Sequence, residues 1–168
     1  RTLREGLFAA WAWTLFSMLG GLALGVASLP LERVTVWRAA RALARGLARL
    51  CATPLTLEGL EHVPPAGQGA VLVANHQSYL DGLLMVAALP RAPRFLVKAE
   101  LARSALLARP LARLGALFIE RFDAAGGIAS LHAAAAELAA GELLVVFPEG
   151  TFKRMPGVLP FHLGAFTL

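Results

Sequence analysis

The sequence predicts an α/β fold: a mostly parallel or mixed sheet flanked by helices, preceded by an N-terminal membrane-associated helical segment. Three observations predict it. Short apolar runs bounded by turn residues alternate with helix-length segments after residue 52. Residues 7–29 carry no charged side chain. The chain is 57% hydrophobic and 16% charged, with a mean hydropathy of +0.63. That is too apolar for an ordinary soluble domain and too charged for a pure transmembrane bundle.

Two units follow: residues 1–52 as a membrane-anchoring helical segment, and residues 53–168 as a catalytic-type α/β domain. The chain stops at Leu168 within an apolar run, so this domain is expected to be truncated at its C-terminal end.

Residues 7–29 exceed the roughly 20 apolar residues that cross a bilayer. Trp11 and Trp13 lie near the start of the run, where indoles favour the membrane interface. A buried core helix and a hairpin broken near Gly20 and Gly21 are the alternatives. Residues 36–51 read as a second helix. At about 100° per residue, Arg38, Arg41, Arg45 and Arg49 share one face, with Leu43, Leu47 and Leu50 opposite. Such a helix suits an anionic membrane surface, or packs on the domain with its arginines solvated. Arginines are denser after the apolar run than before it. The positive-inside rule therefore places the remaining chain on the cytoplasmic face of the cytoplasmic membrane.

In the second unit, residues 55–60 read as a first strand. Residues 69–74, 94–97, 116–119 and 143–147 read as buried strands. The intervening helices are 78–89, ended by Pro90; 101–114, interrupted or ended at Pro110; and 128–140, closed by Gly141. Ligand sites of such sheets gather at the carboxyl ends of strands.

Net charge is +5 with a pI near 10.6. The balance favours an anionic partner: anionic lipid, a phosphorylated substrate or nucleic acid. Nucleic acid is excluded as the expected partner, because the arginine stripe flanks an apolar segment without an aromatic platform. With Cys51 as the one cysteine, no internal disulfide can form. The four histidines form no ligand cluster in sequence, so no metal and no cofactor are expected.

Three polar clusters follow strand ends. The first runs Asn75-His76-Gln77-Ser78-Tyr79-Leu80-Asp81. A histidine there acts as a general base if a carboxylate holds its other ring nitrogen. Asp81 serves if it sits in the first helical turn and points back. Ser78 and Asp81 also match a capping box, and on this stretch alone that reading is the simpler. The second cluster ends Phe118-Ile119-Glu120-Arg121, where Arg121 can grip a phosphate or simply be solvated. The third is Phe147-Pro148-Glu149-Gly150-Thr151, a tight turn presenting a carboxylate and a hydroxyl; Lys153 and Arg154 follow. It reads equally as a plain turn.

Taken together, N-H-x-x-x-x-D, G-x-x-F-I-x-R and F-P-E-G-T resemble the glycerolipid acyltransferase family, whose members include the 1-acylglycerol-3-phosphate acyltransferases. The resemblance covers residues 53–168. Lys98-Ala99-Glu100-Leu101 is similar to the family's K-x-E-L run, and Phe161 to Phe166 to its F-x-x-G-A-F run. The resemblance implies an acyltransferase of phospholipid biosynthesis. It implies His76 as general base and Asp81 as its orienting partner. Asn75, Arg121, Glu149, Gly150 and Thr151 become substrate-binding residues. Acyl-CoA or an acyl carrier protein would be the donor, a lysophospholipid the acceptor, and phosphatidate the product. The acceptor could instead be glycerol-3-phosphate or another lysolipid, or the chain a non-catalytic lipid-binding module. Phe152 stands where the family often has arginine, and the sequence stops at Leu168, before the place of the family's further proline-containing block.

Overall fold

A computed structural model describes residues 2–120, 124–153, 157–162 and 166. The chain opens with a helical hairpin. Helix α1 (Leu3–Ser28) starts with a capping box, in which Thr2 and Glu5 each accept the other's backbone N–H. A short connection turns the chain into α2 (Arg33–Leu50). The two helices pack together, and the Trp11 indole N–H donates to the Leu50 carbonyl at 3.2 Å. That bond joins the middle of α1 to the end of α2, so the pair is antiparallel. The α1 helix runs unbroken through Gly20 and Gly21, so no break forms there.

The sheet is four-stranded and wholly parallel, in the order β1-β4-β2-β3. Its strands are β1 (Ala70–Val73), β2 (Arg94–Lys98), β3 (Ala116–Ile119) and β4 (Leu143–Val146). Every residue of central β4 is buried, which is why its sequence is a continuous Leu-Leu-Val-Val rather than an alternation. The α/β class is thus borne out, with a parallel rather than mixed sheet. Helices α3 (Asp81–Ala88), α4 (Ala108–Arg113) and α5 (Ala124–Ala139) connect the strands.

Two buried clusters hold the layers. Trp37, Ala40 and Val86 join α2 to α3, with Ala92, Phe95 and Leu114 packed on them. Leu89, Leu143 and Val145 form the second, beneath Leu72, Met85 and Phe147. Phe95 touches both. Arg33, at the start of α2, pairs with Glu142, just before β4. Arg94 of β2 bridges Glu137 at 2.9 Å and Glu142 at 3.5 Å.

Several expected boundaries move. Residues 55–60 form no strand; Gly59 takes φ +74° and a 3₁₀ turn follows at Leu60–His62. The helix expected from Ser78 begins at Asp81. The stretch 101–114 divides into a 3₁₀ turn (Ala99–Arg103) and α4. Pro110 lies within α4, in its first turn, where a missing N–H leaves no helical bond unmade. Helix α5 starts at Ala124, ahead of the expected Ile128.

Candidate active site

Strands β1 and β4 are parallel neighbours, with Val73 opposite Val146. The Ala74 N–H extends the ladder by one bond to the Val146 carbonyl, 3.1 Å. The loops leaving the two strands therefore emerge side by side at the carboxyl edge of the sheet. One carries His76, the other Glu149, and this juxtaposition builds the site.

His76 Nδ1 lies 2.8 Å from Asp81 Oδ2. The same oxygen accepts the backbone N–H of Gln77 at 2.7 Å and of Ser78 at 2.9 Å. Asp81 is thus the first residue of α3 with its carboxylate turned back into the loop, and the helix has no side-chain cap. Burial pushes the Asp81 carboxyl up. The Ser78 N–H, the His76 ring and the Gln77 N–H together outweigh that and hold it below the usual carboxylate range. With Nδ1 engaged, Nε2 is the nitrogen left for proton transfer.

Aromatic rings fix the imidazole. Phe147 stacks on it at 4.4 Å between centroids, and Phe152 meets it edge-on at 4.8 Å. Tyr79 braces Phe152 at 4.6 Å.

His76 opens onto a cavity of about 990 Å³. Its lining is mainly apolar: Phe16, Gly20 and Leu24 of α1, Leu43 and Leu47 of α2, and Leu83 of α3. Gly150, Thr151 and Lys98 also line it. Gly150 has φ +66°, which favours a residue without a Cβ.

The remaining sequence-derived residues fall in three places. Asn75 is exposed beside the loop and does not line the cavity. Glu149 is 2% exposed and does not line it either. Its oxygens accept the backbone N–H groups of His76, at 2.6 Å, and Leu159, at 2.7 Å. Arg121, Arg154 and residues 163–165 lie outside the described residues. Among the described residues no group of His, Cys, Asp or Glu side chains is disposed to hold a metal ion.

Sequence reasoning did not assign Lys98, Tyr79 or Phe147 to the site. Lys98 carried a usable signal: it ends strand β2 at the same sheet edge. The aromatic contacts carried none, because they join segments far apart in the chain.

The acyltransferase family model matches residues 54–168. The chain belongs to the acyltransferase family. Over 159 residues it is 36% identical to human 1-acyl-sn-glycerol-3-phosphate acyltransferase alpha, covering 93% of this chain and 54% of the relative. It is 35% identical over 126 residues to the 1-acyl-sn-glycerol-3-phosphate acyltransferase of Helicobacter pylori, covering 73% and 53%. The crystal structure of PlsC, the 1-acyl-sn-glycerophosphate (LPA) acyltransferase of Thermotoga maritima, shares the fold. Its TM-score is 0.70 at 22% identity, over 98% of this chain and 68% of that one. The chain spans about half the length of the curated relatives it matches.

Proposed function

We propose that the protein carrying this chain transfers a fatty acyl group from a thioester to the free hydroxyl of 1-acylglycerol-3-phosphate, making phosphatidate. The observation that carries this reading is the His76–Asp81 pair opening onto a large, mainly apolar cavity. The relatives named above are acyltransferases of this acceptor.

Nε2 of His76 takes the proton of the acceptor hydroxyl as its oxygen attacks the thioester carbonyl. Asp81 fixes the tautomer and stabilises the imidazolium that forms. The tetrahedral adduct collapses, the C–S bond breaks, and the thiolate leaves with the proton that His76 returns. No covalent acyl-enzyme is needed. Acyl-CoA and acyl carrier protein both supply the thioester. Thr151, the Gly150 turn, Lys98 and Arg121 are the groups for the acceptor phosphate.

Phe152 favours a second acceptor class. It stands edge-to-face with His76, at the position where the family often has arginine. Lysolipids without a terminal phosphate suit such a wall.

Helix α1 supports membrane association. It is long and apolar enough to cross a bilayer, and only 6% of its most apolar stretch is buried. It pairs antiparallel with α2, whose five arginines each cost about 2.5–3.5 kcal/mol at a bilayer centre. That sum favours a hairpin embedded in one leaflet, and the density of arginines after α1 supports a site facing the cytoplasm.

The test is thiol release from palmitoyl-CoA by the full-length protein in lipid vesicles, across a panel of acceptors. Release that requires 1-acylglycerol-3-phosphate and disappears in His76→Ala supports the reading. Release only with acceptors lacking a phosphate selects the second class. Lipid binding without turnover, unchanged by His76→Ala, leaves a non-catalytic lipid-binding module.

A further inference from the structure

Glu149 is a carboxylate that the transfer chemistry leaves unused, yet it is among the most deeply buried side chains of the chain, 2% exposed. Desolvating a carboxylate is costly unless strong donors meet it. Two do, and both are backbone amides. Oε1 accepts the N–H of His76 at 2.6 Å, and Oε2 accepts the N–H of Leu159 at 2.7 Å.

The two donors belong to different segments. One is the loop that carries the base. The other is residues 157–162, which meet the site again through two more bonds. The Gln77 side-chain amide donates to the Gly157 carbonyl at 3.0 Å, and the His162 N–H donates to the Pro148 carbonyl at 2.8 Å. Glu149 stands where loop, turn and strap converge. An acceptor phosphate has no use for it: both oxygens are engaged, and a second anion beside them is repelled. Displacing either amide would leave a buried donor without a partner.

We infer that Glu149 is a positioning residue, whose buried carboxylate clamps the His76 backbone and the 157–162 strap together and so sets where the base stands. His76 is then held from two sides. Asp81 fixes the ring through Nδ1, and Glu149 fixes the main chain through the N–H. Asp81 also takes the Gln77 and Ser78 amides and so shapes the loop after His76; Glu149 anchors the loop at His76 itself. As a kinetic role this rests on the acyl-transfer reading; as a clamp it does not.

The experiment uses the full-length protein in vesicles, with Glu149→Gln and Glu149→Asp. Gln keeps the shape but turns its NH₂ toward one of the two amides, donor against donor. Asp keeps the charge but withdraws it by about one C–C bond, ~1.5 Å. Hydrogen exchange read by mass spectrometry over 74–80 and 157–162 is the first measurement. Both segments are expected to exchange faster in Glu149→Gln, together, with α1 unchanged. Steady-state kinetics is the second. A loop misplaced on the ångström scale is expected to lower kcat by about 10²-fold with acceptor KM unchanged. A raised acceptor KM at unchanged kcat, or unchanged exchange in both segments, overturns the proposal. Where Glu149→Gln fails to fold, Glu149→Asp is scored on the same two readouts. A wild type that turns over no acceptor sinks the acyl-transfer reading, and the exchange measurement still decides the clamp.

Discussion

One oxygen of Asp81 serves three donors, His76 Nδ1 at 2.8 Å and the amides of Gln77 and Ser78 at 2.7 and 2.9 Å. The carboxylate therefore holds the imidazole and shapes the loop beneath it at once. Asn at this position keeps the size, loses the charge and can present an NH₂ to those donors. Asp81→Asn is expected to lower kcat by about 10²–10⁴-fold, the range a positioned general base supplies. Combining it with His76→Ala should add almost nothing, because the pair acts as a unit. Initial rates of thiol release for the two single variants and the double variant check this. Additive losses would mean that Asp81 and His76 work separately.

The same contacts set an acid dependence. The folded Asp81 carboxyl lies below its ordinary value, taken as about 3.9 in the unfolded chain. A depressed carboxyl adds stability that is fully present above the unfolded value and is lost as pH falls through the folded one. Urea unfolding midpoints for the wild type minus Asp81→Asn should give a constant difference above about pH 4 that shrinks below it. A difference that instead shrinks between neutrality and pH 5 would assign the linkage to another group.

Much of the sheet was legible in the sequence because of where it lies. Residues 69–74, 94–97, 116–119 and 143–147 are apolar runs between turn residues, and strands covered by helices demand that composition. Residues 55–60, Leu-Thr-Leu-Glu-Gly-Leu, lack such a run and form no strand, because strand identity also needs a ladder partner and this stretch has none. The site divides the same way. His76 and Asp81 are near neighbours in sequence, so their meeting could be foreseen. The partners of Glu149 could not, since His76 is 73 residues away. A carboxylate in a tight turn reads alike whether it faces substrate or the interior.

Docking of the hairpin onto the sheet depends on Glu142. It pairs with Arg33 of α2 and, at 3.5 Å, with Arg94, whose other contact is Glu137 at 2.9 Å. The side chains are partly exposed, 21% for Glu142 and 25% for Arg33, so solvent screens the pairs. A shared carboxylate between two guanidiniums is nonetheless worth more than an isolated surface pair. Glu142→Ala is expected to cost about 1–2 kcal/mol, toward the lower part of the range for hydrogen bonds to charged groups. Denaturant unfolding measures it. Proteolysis between α2 and β1 should quicken in the variant; an unchanged cleavage rate would show that apolar packing alone docks the hairpin.

The cavity wall offers a test of what fills it. Gly20 of α1 lines the cavity, and a Cβ built there meets nothing within 4 Å. Gly20→Leu therefore introduces a side chain without a backbone clash and raises helix propensity by about 0.8 kcal/mol. An isobutyl group at this cavity-lining position is expected to take space that an acyl chain would occupy, and each buried methylene of that chain is worth about 0.8 kcal/mol. Preference should move toward shorter acyl donors: kcat/KM for palmitoyl-CoA falls relative to decanoyl-CoA, while thermal stability holds or rises. The two effects separate the explanations. A lost palmitoyl preference with a lowered Tm would indicate a damaged helix, whereas an unchanged chain-length profile at unchanged Tm would mean that the acyl chain lies elsewhere.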